Sequence, residues 1–276
     1  MLIRYGFHIG LQVAQPTALI TALDIHPERR GDIVEEQALG LEPSGPLHSY
    51  IDGFGNLCRR AVIQPGETIL SCTGIVRDSG NPDAYDTAAE QVPVDALPDD
   101  ALVYLLASRY CETDLMGSLA WSLFGHIEGG YARVQAVCDF VHDNLIFGYE
   151  NARPTRTAMQ AYEERVGVCR DFTHLAVTLV RCLNIPARYC NGYLGDIGIP
   201  PVPLPMDFNA WFEAYIGGRW VTFDARHNTP RIGRVVIARG RDATDIPMVN
   251  SFGPHFLSRF EVITEEVKEA YAIAAE

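Results

Sequence analysis

The chain has 276 residues, 47% of them hydrophobic, and a formal net charge of -13. That is enough apolar material for one large domain or two medium ones, and the acid excess argues against nucleic acid or an anionic membrane surface, since both reward clustered Lys and Arg. Seven cysteines show no CxxC pair and no metal-ligand spacing with His, so neither a zinc site nor a disulfide framework is expected, and the thiols should be reduced.

The N-terminal "MLIRYGFHIGLQV" lacks a charged leader with a continuous apolar core, and no apolar run is long enough to span a bilayer. A cytoplasmic protein is the expectation. Instead of a leader, Ile3, Tyr5, Phe7, Ile9, Leu11 and Val13 occupy successive odd positions, the period of two of a half-buried strand. Similar runs at 18–26, 57–63 and 68–76 alternate with turn chemistry such as "EPSG" and "QPGE", so residues 1–80 read as an all-β unit. Residues 81–98 are rich in acids and proline and read as a linker, leaving 99–276 as a second domain. In that domain the periodicity predicts helices at 99–110, 130–147 and 155–165, and strands at 187–194, 209–216, 219–225, 232–238 and 256–263.

Between them lies "GVCRDFTHLAVTLVRCLNIP", where Phe172, Leu175, Ala176, Leu179, Val180 and Leu183 form one apolar stripe that Pro186 closes. Cys169 falls three residues before Phe172, at the N-terminal end of that stripe, after Gly167, which lets the backbone turn tightly. Unpaired N–H groups and the helix dipole favour a thiolate there, and a thiolate is the nucleophile. A small core residue is the other reading of the same position.

In "MDFNAWFEAYIGGRWVTFDARHN" two apolar runs flank Gly217-Gly218, a two-residue hairpin signal. That register puts Ile216 opposite Arg219 and Trp211 opposite Asp224. Ala210, Phe212, Ala214, Val221, Phe223 and Ala225 then face the core, and Asn209, Trp211, Glu213, Thr222, Asp224 and Arg226 the other side. Asn209 and Asp224 become diagonal neighbours with backbones roughly 7 to 8 Å apart, able to share a polar site or merely to lie on a solvated face. Glu213 is expected to be solvated.

Together, "GVCRDFTHLAVTLVRCLNIPARYCNGYL" and "DFNAWFEAYIGGRWVTFDAR" resemble the bacterial transglutaminase-like superfamily, the transglutaminase-like cysteine proteases, over about residues 130–265. The resemblance implies an α+β, papain-like core in which a Cys-bearing helix packs on an antiparallel sheet, preceded by an all-β, sandwich-like N-terminal domain. It implies Cys169 as nucleophile and Asp224 as the acid that orients a histidine. That histidine's place is held by Asn209, whose carboxamide cannot take up a proton at neutral pH. His227 is the substitute base to consider, if a bend at "ARHN" returns it to Asp224; His142, His126 and His255 have no spacing argument. His174 lies about 140° round the helix from the thiol and suits a structural hydrogen bond. Tyr149 falls where relatives often keep an aromatic near the site, or is simply buried, and Arg170 and Asp171 either tune the thiol or cap the helix.

The implied chemistry is hydrolysis of, or acyl transfer from, a peptide or isopeptide bond through a Cys thioester, with a peptide or protein substrate and no metal or organic cofactor. The alternative is a transglutaminase-like binding or scaffold protein without catalysis.

Overall fold

The computed structural model describes residues 1–203 and 205–267. β1 (Leu2–Val13) is the long strand the alternation predicts, with Ile3, Tyr5, Phe7, Ile9, Leu11 and Val13 all buried. After it come β2 (Thr17–Thr21), β3 (Ile33–Glu42), β4 (His48–Ile51), β5 (Leu57–Ile63) and β6 (Gly66–Arg77). The sequence reading contains no β3 or β4. Both are edge strands, β3 beside β6 and β4 beside β5, and an edge strand favours charge over apolar alternation.

The helical part opens with α1 (Asp99–Leu102), much shorter than the expected 99–110. Beyond Leu105 the backbone is diverted: the Leu106 carbonyl accepts from Arg181 at 3.1 Å, and Ser108 and Cys111 bond each other's backbone. Next come α2 (Thr113–Phe124), absent from the sequence reading, α3 (Tyr131–Asn144), the two-residue β7 (Ile146–Phe147), α4 (Ala158–Glu164) and β8 (Val166–Gly167). β7 and β8 pair in parallel just before α5 (Cys169–Cys182). The remaining strands are β9 (Ala187–Tyr193), β10 (Asn209–Ile216), β11 (Arg219–Phe223), β12 (Val235–Gly240), β13 (Asn250–Ser251) and β14 (His255–Glu266).

Among the described residues the other twelve strands form three four-stranded antiparallel sheets, ordered β14-β1-β6-β3, β13-β2-β5-β4 and β11-β10-β9-β12. The architecture is α+β, with the Cys-bearing helix on an antiparallel sheet. In the third sheet the hairpin has the expected register: Ile216 pairs with Arg219 and Phe212 with Phe223, around Gly217 and Gly218 at φ +58° and +76°. Phe212, Ala214 and Val221 share a core with Leu175 and Leu179 of α5, while Ala210, Tyr189 and Tyr193 share one with Ile3 and Phe7 of β1. The central sheet thus joins two cores.

Its opposite side is covered as well, so that Glu213, expected to be solvated, is buried. Trp211 is buried with Cys190 and Val236, and Glu213 pairs with Arg188 at 2.5 Å and Arg239 at 3.2 Å. The reason is composition: three arginines close over this face, with Arg234 5.1 Å from the Trp211 ring. Arg239 also ties the central sheet to the β-rich unit, reaching Glu28 at 2.6 Å, while the Asn56 side chain bonds both its N–H and its carbonyl at 2.8 Å. β14 lies along the whole of β1, from Ile3 opposite Glu266 to Val13 opposite His255, and β13 joins β2. Residues 250–251 and 255–266, which lie in the second domain of the sequence reading, with a strand expected at 256–263, are strands of the two N-terminal sheets.

Candidate active site

α5 begins on Cys169 because Asp171 closes its first turn, with Oδ2 accepting from the Val168 N–H at 3.0 Å and from Arg156 at 2.9 Å. Of the two roles open to Asp171, helix capping is the one observed. The stripe from Phe172 to Leu183 is buried and holds the helix against β10 and β9. Cys169 is half-buried, and its sulfur lies near the Ala210 N–H at the start of β10. Burial pushes the thiol up to about 11, and Asp207 and Asp224 add to this, against the opposing pull of Arg226 and the Ala210 N–H. The sulfur is protonated at neutral pH.

Cys169 opens on a cavity of about 330 Å³ walled by Ile9, Leu11, Tyr189, Phe208, Ile246 and Leu257. Beside it a cavity of about 160 Å³ is lined by Asn209, Arg226, His227 and Tyr149. Asp207 lines both, and burial raises its carboxyl while the Phe208 N–H and Arg226 oppose the rise. Tyr149 is 39% exposed, so the aromatic near the site is present and the buried alternative is not.

Asn209 and Asp224 are both buried, but they meet through a third residue. Arg226 donates from Nη1 to Asn209 Oδ1 at 2.9 Å and from its backbone N–H to Asp224 Oδ1 at 3.0 Å. The Asn209 amide nitrogen is turned to the carbonyls of Asp207 at 3.2 Å and Leu194 at 3.4 Å. Asp224 has several charged and polar partners at once. Burial alone would raise its carboxyl, but Arg234, 2.9 Å from Oδ2, and His227 hold it well below the usual carboxylate range.

His227 does return to Asp224. The strand ends at Phe223, the chain turns with Asn228 at φ +49°, and the His227 Nδ1 comes to 2.8 Å from Asp224 Oδ2, with its backbone N–H 3.0 Å from Oδ1. Among the described residues no hydrogen bond joins the Cys169 sulfur to Asn209, Asp224 or His227. His174 is buried and structural: its Nε2 accepts from the Ala243 N–H at 3.2 Å, its ring stacks 4.9 Å from Tyr110, and burial lowers its pKa. His142 bonds the Arg226 carbonyl at 2.9 Å, and His255 lines the larger cavity with Cys169.

Sequence reasoning missed Asp207, Arg234 and the bridging use of Arg226. Asp207, two residues before Asn209, had a positional signal. Arg234, ten residues past Asp224, had none. No group of three or more His, Cys, Asp or Glu among the described residues is placed to hold a metal ion, and no described helix is long and apolar enough to cross a membrane.

Residues 118–225, which include Cys169, Asn209 and Asp224, match the model of the transglutaminase-like superfamily. The crystal structure of a putative cysteine protease from Cytophaga hutchinsonii is 32% identical and superposes with a TM-score of 0.84, covering 97% of this chain and 91% of that one. The periplasmic domain of TgpA from Pseudomonas aeruginosa is 15% identical with a TM-score of 0.43, over 81% of this chain and 90% of that domain. An uncharacterized protein of Mycobacterium leprae is 28% identical over 113 residues, 40% of this chain and 40% of that protein's length. With a relative of 32% identity matched along nearly its whole length, this chain belongs to the transglutaminase-like superfamily.

Proposed function

We propose that the chain is a cysteine hydrolase or acyltransferase of amide bonds in a peptide or protein, working in the cytoplasm through a thioester on Cys169. The observation that carries this reading is the position of the sulfur: first residue of a buried helix, facing the Ala210 N–H, and open to a cavity. In the reaction the sulfur attacks the carbonyl carbon, the C–N bond breaks, and the thiol proton passes by way of a base to the departing amine. The Cys169 and Arg170 N–H groups, at positions to which a helix gives no intrahelical acceptor, face the oxyanion, while the Asp171 N–H is taken by the Val168 carbonyl at 2.8 Å. Water or a second amine then takes the acyl group.

Asn209 cannot carry the proton. His227, held at Nδ1 by Asp224, is the histidine we assign to that work. A second reading, a transglutaminase-like binding or scaffold protein without catalysis, is favoured by Asn209 itself and by the high pKa of the thiol.

Iodoacetamide alkylation across pH, with the modified cysteine located by mass spectrometry, separates the two. An active site labels Cys169 selectively below pH 8, and His227→Ala removes that selectivity without lowering stability. Labelling no faster than a free thiol, at all pH values, leaves the scaffold reading standing. In either case Asn209→His is expected to raise the rate at pH 7 about a hundredfold, the usual scale of a positioned base. No gain would mean that the Asn209 position does not reach the sulfur.

A further inference from the structure

The large cavity beside Cys169 is apolar to an extent that opening a thiol to water does not require. Its walls come from two separate parts of the chain: Ile9, Leu11 and Leu257 from β1 and β14, and Tyr189, Phe208 and Ile246 from around the central sheet. Its volume is about 330 Å³. An apolar cavity of about 150 Å³ already takes a benzene ring, so this one has room for an aromatic side chain and the backbone that carries it. The apolar surface continues outward on β14, where Phe256, Leu257 and Phe260 are exposed.

Arg170, Asn191, Asp207 and His255 are the cavity's polar lining, and two of their buried atoms, Arg170 Nε and Asn191 Oδ1, lack a partner. Asn191 is only 7% exposed, lines the cavity, and its Oδ1 makes no hydrogen bond. In the β9–β10 pairing Asn191 stands opposite Ala210, the residue whose N–H points at the Cys169 sulfur. A buried acceptor left open is costly unless something donates to it. Here the open acceptor is across one strand pair from the nucleophile.

We infer that this cavity is the acyl-side subsite, that it takes a bulky apolar side chain, aromatic or branched aliphatic, of a peptide, and that Asn191 Oδ1 accepts the backbone N–H of the same residue. The acyl donor is then a hydrophobic residue next to the attacked carbonyl. This inference rests on Cys169 as the nucleophile proposed above, and its test is arranged to separate the two.

The p-nitrophenyl esters of N-acetyl-phenylalanine and N-acetyl-glycine acylate a thiol when sulfur attacks the carbonyl, the C–O bond breaks, and p-nitrophenolate leaves. That leaving group needs no proton, so Asn209 does not bar the step; the thiol proton goes to buffer. The phenylalanine ester is expected to acylate Cys169 at least about tenfold faster than the glycine ester, the scale of burying one aromatic side chain. Met248→Trp, which fills the cavity, and Leu257→Asp, at a half-exposed wall position, are expected to bring the ratio to within about twofold. Asn191→Ala is expected to slow the N-acetyl-phenylalanine ester severalfold and leave the 3-phenylpropionate ester, which has no such N–H, unaffected. Equal rates for the phenylalanine and glycine esters, with Cys169 acylated by both, overturn the subsite.

If Cys169 reacts with neither ester, the nucleophile reading fails. Binding of N-acetyl-phenylalaninamide and N-acetyl-glycinamide to the native protein, followed by NMR, then decides the subsite alone. A preference of at least about tenfold for the aromatic amide, with shifts at Leu257 and Phe260, upholds it; equal binding, or shifts elsewhere, overturns it.

Discussion

Asp224 ties the candidate site to the rest of the fold through Arg234, which also pairs with Asp83 at 2.9 Å. Both partners are almost fully buried, so loss of the carboxylate leaves a guanidinium short of countercharge in a dry setting, a situation that typically costs several kcal/mol. Asp224→Ala is therefore expected to lower unfolding stability by about 3 kcal/mol in urea titration, besides freeing His227. A loss under about 1 kcal/mol would show that Asp83 suffices for Arg234. At this scale the sequence was informative where chemistry and period coincide. Cys169 at the head of an apolar stripe and Asp224 just past the second strand of the hairpin are both visible in the pattern. The Arg226 bridge was not, because a period of two says which side chains share a face, and not which of them a long guanidinium will reach.

Among the elements, β9 is tightly constrained, since it is paired on both edges and covered on both faces. Gly192, opposite Asn209, shows how tightly: a Cβ there would stand 2.1 Å from the Val235 carbonyl oxygen and 2.7 Å from the Trp211 ring. Backbone and indole cannot both retreat, so Gly192→Ala is expected to cost about 2 kcal/mol or more. It should also slow any Cys169 reaction by shifting the start of β10, where the sulfur meets the Ala210 N–H. Wild-type melting with wild-type thiol reactivity would contradict this. Long periodic elements were legible from sequence: β1, α5 and the β10–β11 hairpin lie where the pattern puts them. α2 is absent from the sequence reading although Met116, Leu119, Ala120, Leu123 and Phe124 keep an unbroken helical spacing; Gly117, Ser118 and Ser122 lie off that stripe and lower only the intrinsic helix propensity. β3 carries Glu35, Glu36 and Gln37 in succession and two register shifts, leaving no alternation to read.

For the whole molecule, the seam between the β-rich unit and the central sheet passes through His26. Its backbone N–H bonds the Val236 carbonyl at 3.0 Å, and its ring is packed near Arg239. Burial, helped by Arg239, lowers its pKa to about 4. The unfolded chain takes up this proton near pH 6.5 and the folded chain does not, so more protons are bound in the unfolded state and stability falls as pH drops from 6.5 towards 4. The expected loss between pH 7 and pH 5 from this residue is about 2 kcal/mol. His26→Gln should flatten that part of the stability profile. A wild-type slope in the variant would assign the effect to His174, which is buried neutral in the same sense.

The pairing of β14 with β1 also sets an order of events. β1 leaves the ribosome some 250 residues ahead of β14, one of its two lateral partners. Until then one edge of β1, a run of alternating Ile, Tyr, Phe and Leu, has nothing beside it. A nascent chain is therefore exposed to strand exchange and to chaperone capture for as long as the residues between β1 and β14 take to be made, and a premature stop before His255 should produce aggregate rather than a shortened folded chain.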